Sequence, residues 1–128
     1  MKLLLDTHLL LWVAANDRRL PNAARELLSS PETQPHFSAV SIWETVIKSS
    51  KGRDDFKVNP HIFRSRLMEN GYTELELHSL DALAAASLPS IHKDPFDRIL
   101  VAQANRRELT FLTSDDLVAR YPGAIMKV

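Results

Sequence analysis

Two carboxylates, a histidine and two bases crowd the stretch His92-Lys93-Asp94-Pro95-Phe96-Asp97-Arg98. Pro95 suits the first position of a helix and Asp94 the cap before it, which puts Asp97 in the first turn. Val101 and Ala104 follow Asp97 at helical spacing, so that carboxylate stands above a partly buried stripe and needs a partner. Three more acids can join it. Asp6 ends the apolar run Lys2–Leu5, Asp115 comes just after Thr110–Thr113, and Glu44 is expected in the first turn of a helix carrying Ile42, Trp43, Val46 and Ile47. Clustered carboxylates disfavour each other's ionised forms unless a cation neutralises them. Oxygen ligands suit hard divalent ions, and Mg²⁺ or Mn²⁺ fits few protein ligands better than Ca²⁺ does.

The elements that would bring these acids together follow from pattern. Lys2–Leu5 and Thr110–Thr113 are short apolar runs without alternation, as in strands buried on both faces. His36–Ala39 is a weaker strand, Thr73–Leu77 alternates like a half-exposed edge strand, and Ala124–Val128 forms the last one. Helical patterns separate them: Thr7–Ala15, a helix opening at Leu20-Pro21-Asn22, one ending near Gly52, one from Asn59-Pro60 to Asn70-Gly71, an alanine-rich one over Ser79–Leu88, the helix at Asp94, and a short one before Pro122-Gly123. The alternation implies a three-layer α/β fold, a mostly parallel central sheet flanked by helices. In that architecture the carboxyl ends of strands and the amino ends of the following helices share one edge, where ligands bind. All four acids are placed there.

Length and composition bound the rest. A chain of 128 residues suits a single domain, residues 1–128. Sixteen basic and sixteen acidic residues cancel, so affinity for a polyanion must come from local patches. No cysteine is present, which excludes disulfides and thiolate metal sites and suits a reducing cytoplasm. Asp6 interrupts the first apolar run and Asn16-Asp17-Arg18-Arg19 stops the second, so neither a signal peptide nor a membrane span is expected. The three glycines mark helix ends and a turn, leaving no phosphate-cradling loop.

Each acid has a plainer use when taken singly. Ser41-x-x-Glu44 matches a capping box, Glu44 precedes Lys48 at pairing distance, Asp94-x-x-Asp97 is a helix-start pattern, and Asp6 and Asp115 can cap helices. Their joint position on one edge favours the metal site. The ordered set Asp6-Thr7 after a strand, Ser41-Ile42-Trp43-Glu44, Asp94-Pro95-Phe96-Asp97-Arg98 before an Ala-Gln-Ala helix, and Leu112-Thr113-Ser114-Asp115 resembles the motifs of PIN domains, in particular the VapC-type toxins of bacterial toxin–antitoxin modules. The resemblance covers essentially the whole chain.

It implies a Mg²⁺- or Mn²⁺-dependent endoribonuclease with Asp6, Glu44, Asp97 and Asp115 as metal-binding and catalytic acids, Asp115 matching the family's most variable position. Asp94 and Asp116 are extra acids beside them. It further implies an RNA substrate, a cognate antitoxin and a homodimer in the cytoplasm. Thr7, Ser114 and Arg98 are candidates for holding the acids or the RNA, with Thr113 beside them. Lys48, Lys51 and Arg53 form one basic patch, and Lys93 and Arg98 another. His8, His36, His61, His78 and His92 lack ligand spacing and read as structural or surface residues; Trp12, Trp43 and Phe96 read as core or interface. The alternatives are an inactive PIN-like module that binds RNA or protein, and a receiver-like signalling domain. A receiver, however, shows paired acids after its first strand, and Asp6 stands alone.

Overall fold

In the computed structural model, which describes residues 1–128, Lys2–Leu5 forms β1 at the centre of a five-stranded sheet. Side chains of successive strand residues point to opposite faces. Leu3 and Leu5 accordingly enter one hydrophobic core and Leu4 the other, all three fully buried. Burial on both faces is the reason β1 reads as a continuous apolar run. At about 2 kcal/mol for each buried leucine, these few residues anchor the sheet to both helical layers.

The chain continues through α1 (Thr7–Ala15), α2 (Asn22–Ser29), β2 (Gln34–Ser38), α3 (Ala39–Ser50), α4 (Pro60–Glu69), β3 (Thr73–Leu75), α5 (Ser79–Ala86), α6 (Pro95–Arg106), β4 (Thr110–Thr113) and β5 (Ile125–Lys127). The strand order is β3-β2-β1-β4-β5 and every neighbouring pair is parallel, so the sheet is entirely and not just mostly parallel. Leu9 and Leu10 of α1 with Phe63 and Leu67 of α4 fill one core; Val40 of α3 with Leu100, Val101 and Ala104 of α6 fill the other.

Among the boundaries that differ from the sequence pattern, three stand out. β3 stops at Leu75 and lies at the sheet edge, where it has a strand on one side only. The segment expected as a short helix after Asp115 is a single 3-10 turn, Val118–Arg120. Most consequential, α3 begins at Ala39, because the Ser38 hydroxyl accepts from the Val40 amide at 3.0 Å and caps the helix there. Glu44 therefore lies in the second turn and Ser41-x-x-Glu44 is no capping box. Ser38 also donates to Gln103 Oε1 of α6 at 2.5 Å, so a buried tertiary contact fixes the point where strand becomes helix.

No helix is long and apolar enough to cross a membrane.

Candidate metal centre

The chain leaves β1 to one side for β2 and returns on the other side as β4. Helices leaving two adjacent strands in opposite directions open a crevice at their carboxyl ends. Asp6 stands at the end of β1 and Asp115 just past β4, so both open onto that crevice. Asp97, in the first turn of α6, faces them across a cleft of about 200 Å³ that Thr7, His8, Trp12 and Ser114 also line. A larger groove of about 300 Å³ lies between α1 and α4, but its acids Asp17, Asp54 and Asp55 each have a cationic partner nearby and do not converge. The acids expected to act together meet at the smaller cleft.

Each acid is held differently. Asp6 caps α1, with Oδ1 accepting from the Leu9 amide at 2.9 Å while Oδ2 accepts from the Thr113 hydroxyl at 2.5 Å. Burial pushes its carboxyl above the usual range, against the pull of Thr113, Leu9 and His8. Asp115 accepts through Oδ1 from the Leu117 and Val118 amides at 2.8 and 3.2 Å, leaving Oδ2 to the cleft. The Asp115 amide in turn donates to the Thr113 hydroxyl at 3.0 Å, so Thr113 ties two of the acids together.

Asp97 is the acid in need. Its carboxylate accepts no hydrogen bond from any protein donor, and burial together with Asp94, Glu44, Asp6 and Asp115 raises its pKa to about 8. The capping work at this helix start is done by Asp94, which accepts from the Phe96 and Asp97 amides. A cation is what this arrangement calls for. Asp6, Asp97 and Asp115 line this polar cleft with hard carboxylate oxygens, the donor type that Mg²⁺ or Mn²⁺ takes, and of the three only Asp97 and Asp115 belong to a group close enough to share one ion.

Glu44 is only 2% exposed and already engaged. Thr7 donates to its Oε1 at 2.5 Å and also lies 2.9 Å from the Ser41 hydroxyl, while Lys48 Nζ sits 2.5 Å from Oε2. The same ammonium is 3.3 Å from Asp94 Oδ2. Burial lowers the Lys48 pKa and the two carboxylates raise it more, so the ammonium is held above its ordinary range. Lys48 is thus a built-in counter-ion and not part of the exposed basic patch expected beside Lys51 and Arg53. Arg53 itself pairs with Asp55 and lies over Phe56.

Arg98 is turned away from the cleft. Its guanidinium donates to the carbonyls of Ala85 and Leu88 at 2.8 and 3.1 Å and of Pro89 at 2.9 Å, closing the carboxyl end of α5, and it pairs with none of the acids. Asp116 pairs with Lys127 at 2.8 Å, outside the site. Trp43 is 58% exposed, so it belongs to no core.

One residue expected to be structural belongs with the acids. His92 Nε2 lies 3.6 Å from both Asp97 Oδ2 and Asp115 Oδ2, and the three side chains are close enough to share one ion. Ligand spacing gave no sign of it, since its neighbours come from α6 and from the turn after β4. The available signal was local: a histidine two residues before a helix cap can bond the cap's own amide, as His92 Nδ1 does with Asp94 at 3.0 Å. Of the other four histidines, His8 lines the cleft but pairs with the exposed Asp55, while His36 sits on backbone carbonyls, His61 in solvent and His78 at the start of α5.

Comparison with known proteins gives three findings. The family model described as PIN domain matches residues 3–124, which leaves the receiver-like alternative without support. No curated protein matches the sequence. Among solved structures, a chain of VapBC2 from Rickettsia felis bound to a DNA fragment from their promoter superposes with a TM-score of 0.69 at 13% identity, over 99% of this chain and 98% of that one. A chain of a toxin–antitoxin complex from Klebsiella pneumoniae gives 0.65 at 20% identity, over 97% and 95%. A domain of a functionally unknown protein from Methanocaldococcus jannaschii gives 0.57 at 14%, over 92% and 81%.

Proposed function

The chain belongs to the PIN domain family, and from that premise we propose that it is a Mg²⁺- or Mn²⁺-dependent endoribonuclease, the toxin of a toxin–antitoxin pair. The observation that carries the proposal is the convergence of Asp6, Asp97 and Asp115 on one cleft, where His92 Nε2, at 3.6 Å, stops short of a hydrogen bond to Asp97. These three residues would hold the ion, with Glu44 behind them as the fourth acid, reached through Thr7. A divalent ion, when bound, supplies an acidified water and offsets charge on the phosphoryl oxygens. Thr113 keeps Asp6 and Asp115 in register, and Lys48 offsets Glu44 and Asp94 so that the acids do not drive the cleft open. Attack by water on a backbone phosphorus with the 3′ oxygen as leaving group forms a P–O bond, breaks the P–O3′ bond and leaves a 5′-phosphate and a 3′-hydroxyl.

The partner proposed is a small antitoxin that covers the cleft, by analogy with the two toxin–antitoxin structures that share the fold. A single domain over residues 1–128, a homodimer and a cytoplasmic site of action complete the proposal. Exposed Leu80 and Leu83 on α5, and Trp43 on α3, supply apolar surface for protein contacts.

The test is cleavage of RNA by purified protein with Mg²⁺ or Mn²⁺. Activity should stop with chelator and fall by at least about 10²-fold in Asp6→Asn and Asp97→Asn, as expected when an ion's ligand is lost. Cleavage that survives both substitutions would sink the mechanism, and RNA binding without cleavage would leave the chain as an inactive PIN scaffold. Expression without an antitoxin should arrest growth; growth that continues removes the toxin role alone.

A further inference from the structure

Resting on the metal-nuclease reading of this cleft, we infer that His92 is a positioning residue, donating Nε2–H toward Asp97 and Asp115, and not a ligand of the ion. Its distances alone suggest a ligand, since Nε2 is 3.6 Å from one oxygen of each acid. The hydrogen bond at the other ring nitrogen decides otherwise. The Asp94 backbone amide lies 3.0 Å from His92 Nδ1, and an amide N–H can only donate. Nδ1 therefore presents a lone pair, and the neutral ring carries its proton on Nε2. A histidine that ligates a metal shows the reverse arrangement, with the far nitrogen donating to a carbonyl or carboxylate and the near one bare. Here the nitrogen facing the acids has no lone pair to give.

The ring is anchored so that this tautomer persists. Tyr121, 3% exposed, takes the His92 amide on its hydroxyl at 2.9 Å and donates to the His92 carbonyl at 3.1 Å. Arg98 Nη1 lies 3.3 Å from the same hydroxyl while its guanidinium grips the carbonyls of residues 85, 88 and 89. Backbone and ring are both held, and the free N–H points between two carboxylates that approach hydrogen-bonding distance. Such a donor orients the two acids and leaves their other lone pairs to the ion.

Two spectroscopic measurements and a pair of variants test this. In the metal-free protein, ring ¹⁵N shifts should show the Nε2–H tautomer for His92. With Mn²⁺ bound, pulsed electron paramagnetic resonance should show no directly coordinated ¹⁴N. His92→Ala should weaken Mn²⁺ binding by about tenfold or more, and His92→Gln, whose amide also donates, should recover part of it. A ligated ¹⁴N signal that vanishes in His92→Gln, or an Nδ1–H tautomer, overturns the inference and leaves the metal reading standing. Absence of any Mn²⁺ binding to the wild type overturns both.

Discussion

Replacing Asp97 with asparagine should stabilise the metal-free protein while cutting the proposed nuclease activity at least about 10²-fold. The folded chain keeps a proton on Asp97 up to about pH 8, whereas the unfolded chain releases it near 3.8. Between those values the folded state binds more protons, so stability falls as pH rises. The interval sets a ceiling on the order of 5 kcal/mol at about 1.4 kcal/mol per pH unit. With its side chain 18% exposed, water reaches the carboxyl, and ~2 kcal/mol at pH 7 is the expected gain for Asp97→Asn. The variant's advantage should be absent near pH 4, grow through neutrality and level off above pH 8. Urea titrations with chelator at pH 4, 6, 7 and 8 measure it, and a thermal shift on the order of 8 °C should accompany it at pH 7. Saturating Mn²⁺ should then stabilise the wild type by ~2.7 kcal/mol at a hundredfold excess over Kd and leave the variant unchanged. Equal stabilities at pH 7 without metal, or a difference that does not vary with pH, would refute the account of Asp97.

Lys48→Met removes the only ammonium beside a glutamate that is 2% exposed, and should cost ~3 kcal/mol of stability, because Glu44 keeps just the Thr7 hydroxyl; denaturant unfolding measures this, and a neutral outcome would mean that Lys48 is no counter-ion. Gly123→Ala should cost ~2 kcal/mol, since φ there is +126° and a Cβ would lie 2.0 Å from Asn105 Oδ1, breaking the Asn105 bond to the Pro122 carbonyl; thermal melts of Gly123→Ala and Asn105→Ala separate the backbone strain from the lost hydrogen bond.

The sequence by itself determined the layers and the polarity of the fold. Leu3, Leu4 and Leu5 form an unbroken apolar run that Asp6 ends within four residues, too short for a helix and suited to a strand covered on both sides. Asp94-Pro95 determined the start of α6, because proline's fixed φ and missing amide suit that one position and the cap side chain acts locally. Placing Asp6 and Asp97 near one edge followed from these two facts, and Asp115 joined them from the buried run Thr110–Thr113, as strand ends and helix starts coincide in parallel α/β architecture.

What only tertiary structure decided lies in contacts across the sheet. Ser38 became the cap of α3 because Gln103 of α6 and the Val40 amide meet its hydroxyl, which moved Glu44 into the second turn and buried it beside Lys48. Arg98 reads in sequence as a free base, yet the end of α5 passes its guanidinium and offers three carbonyls. His92 lies twenty-three residues before Asp115, at no ligand spacing, and the turn after β4 brings the two together. Local pattern records what a residue does for its own helix or strand; charge pairing and hydrogen bonding depend on which distant groups the strand order places alongside it.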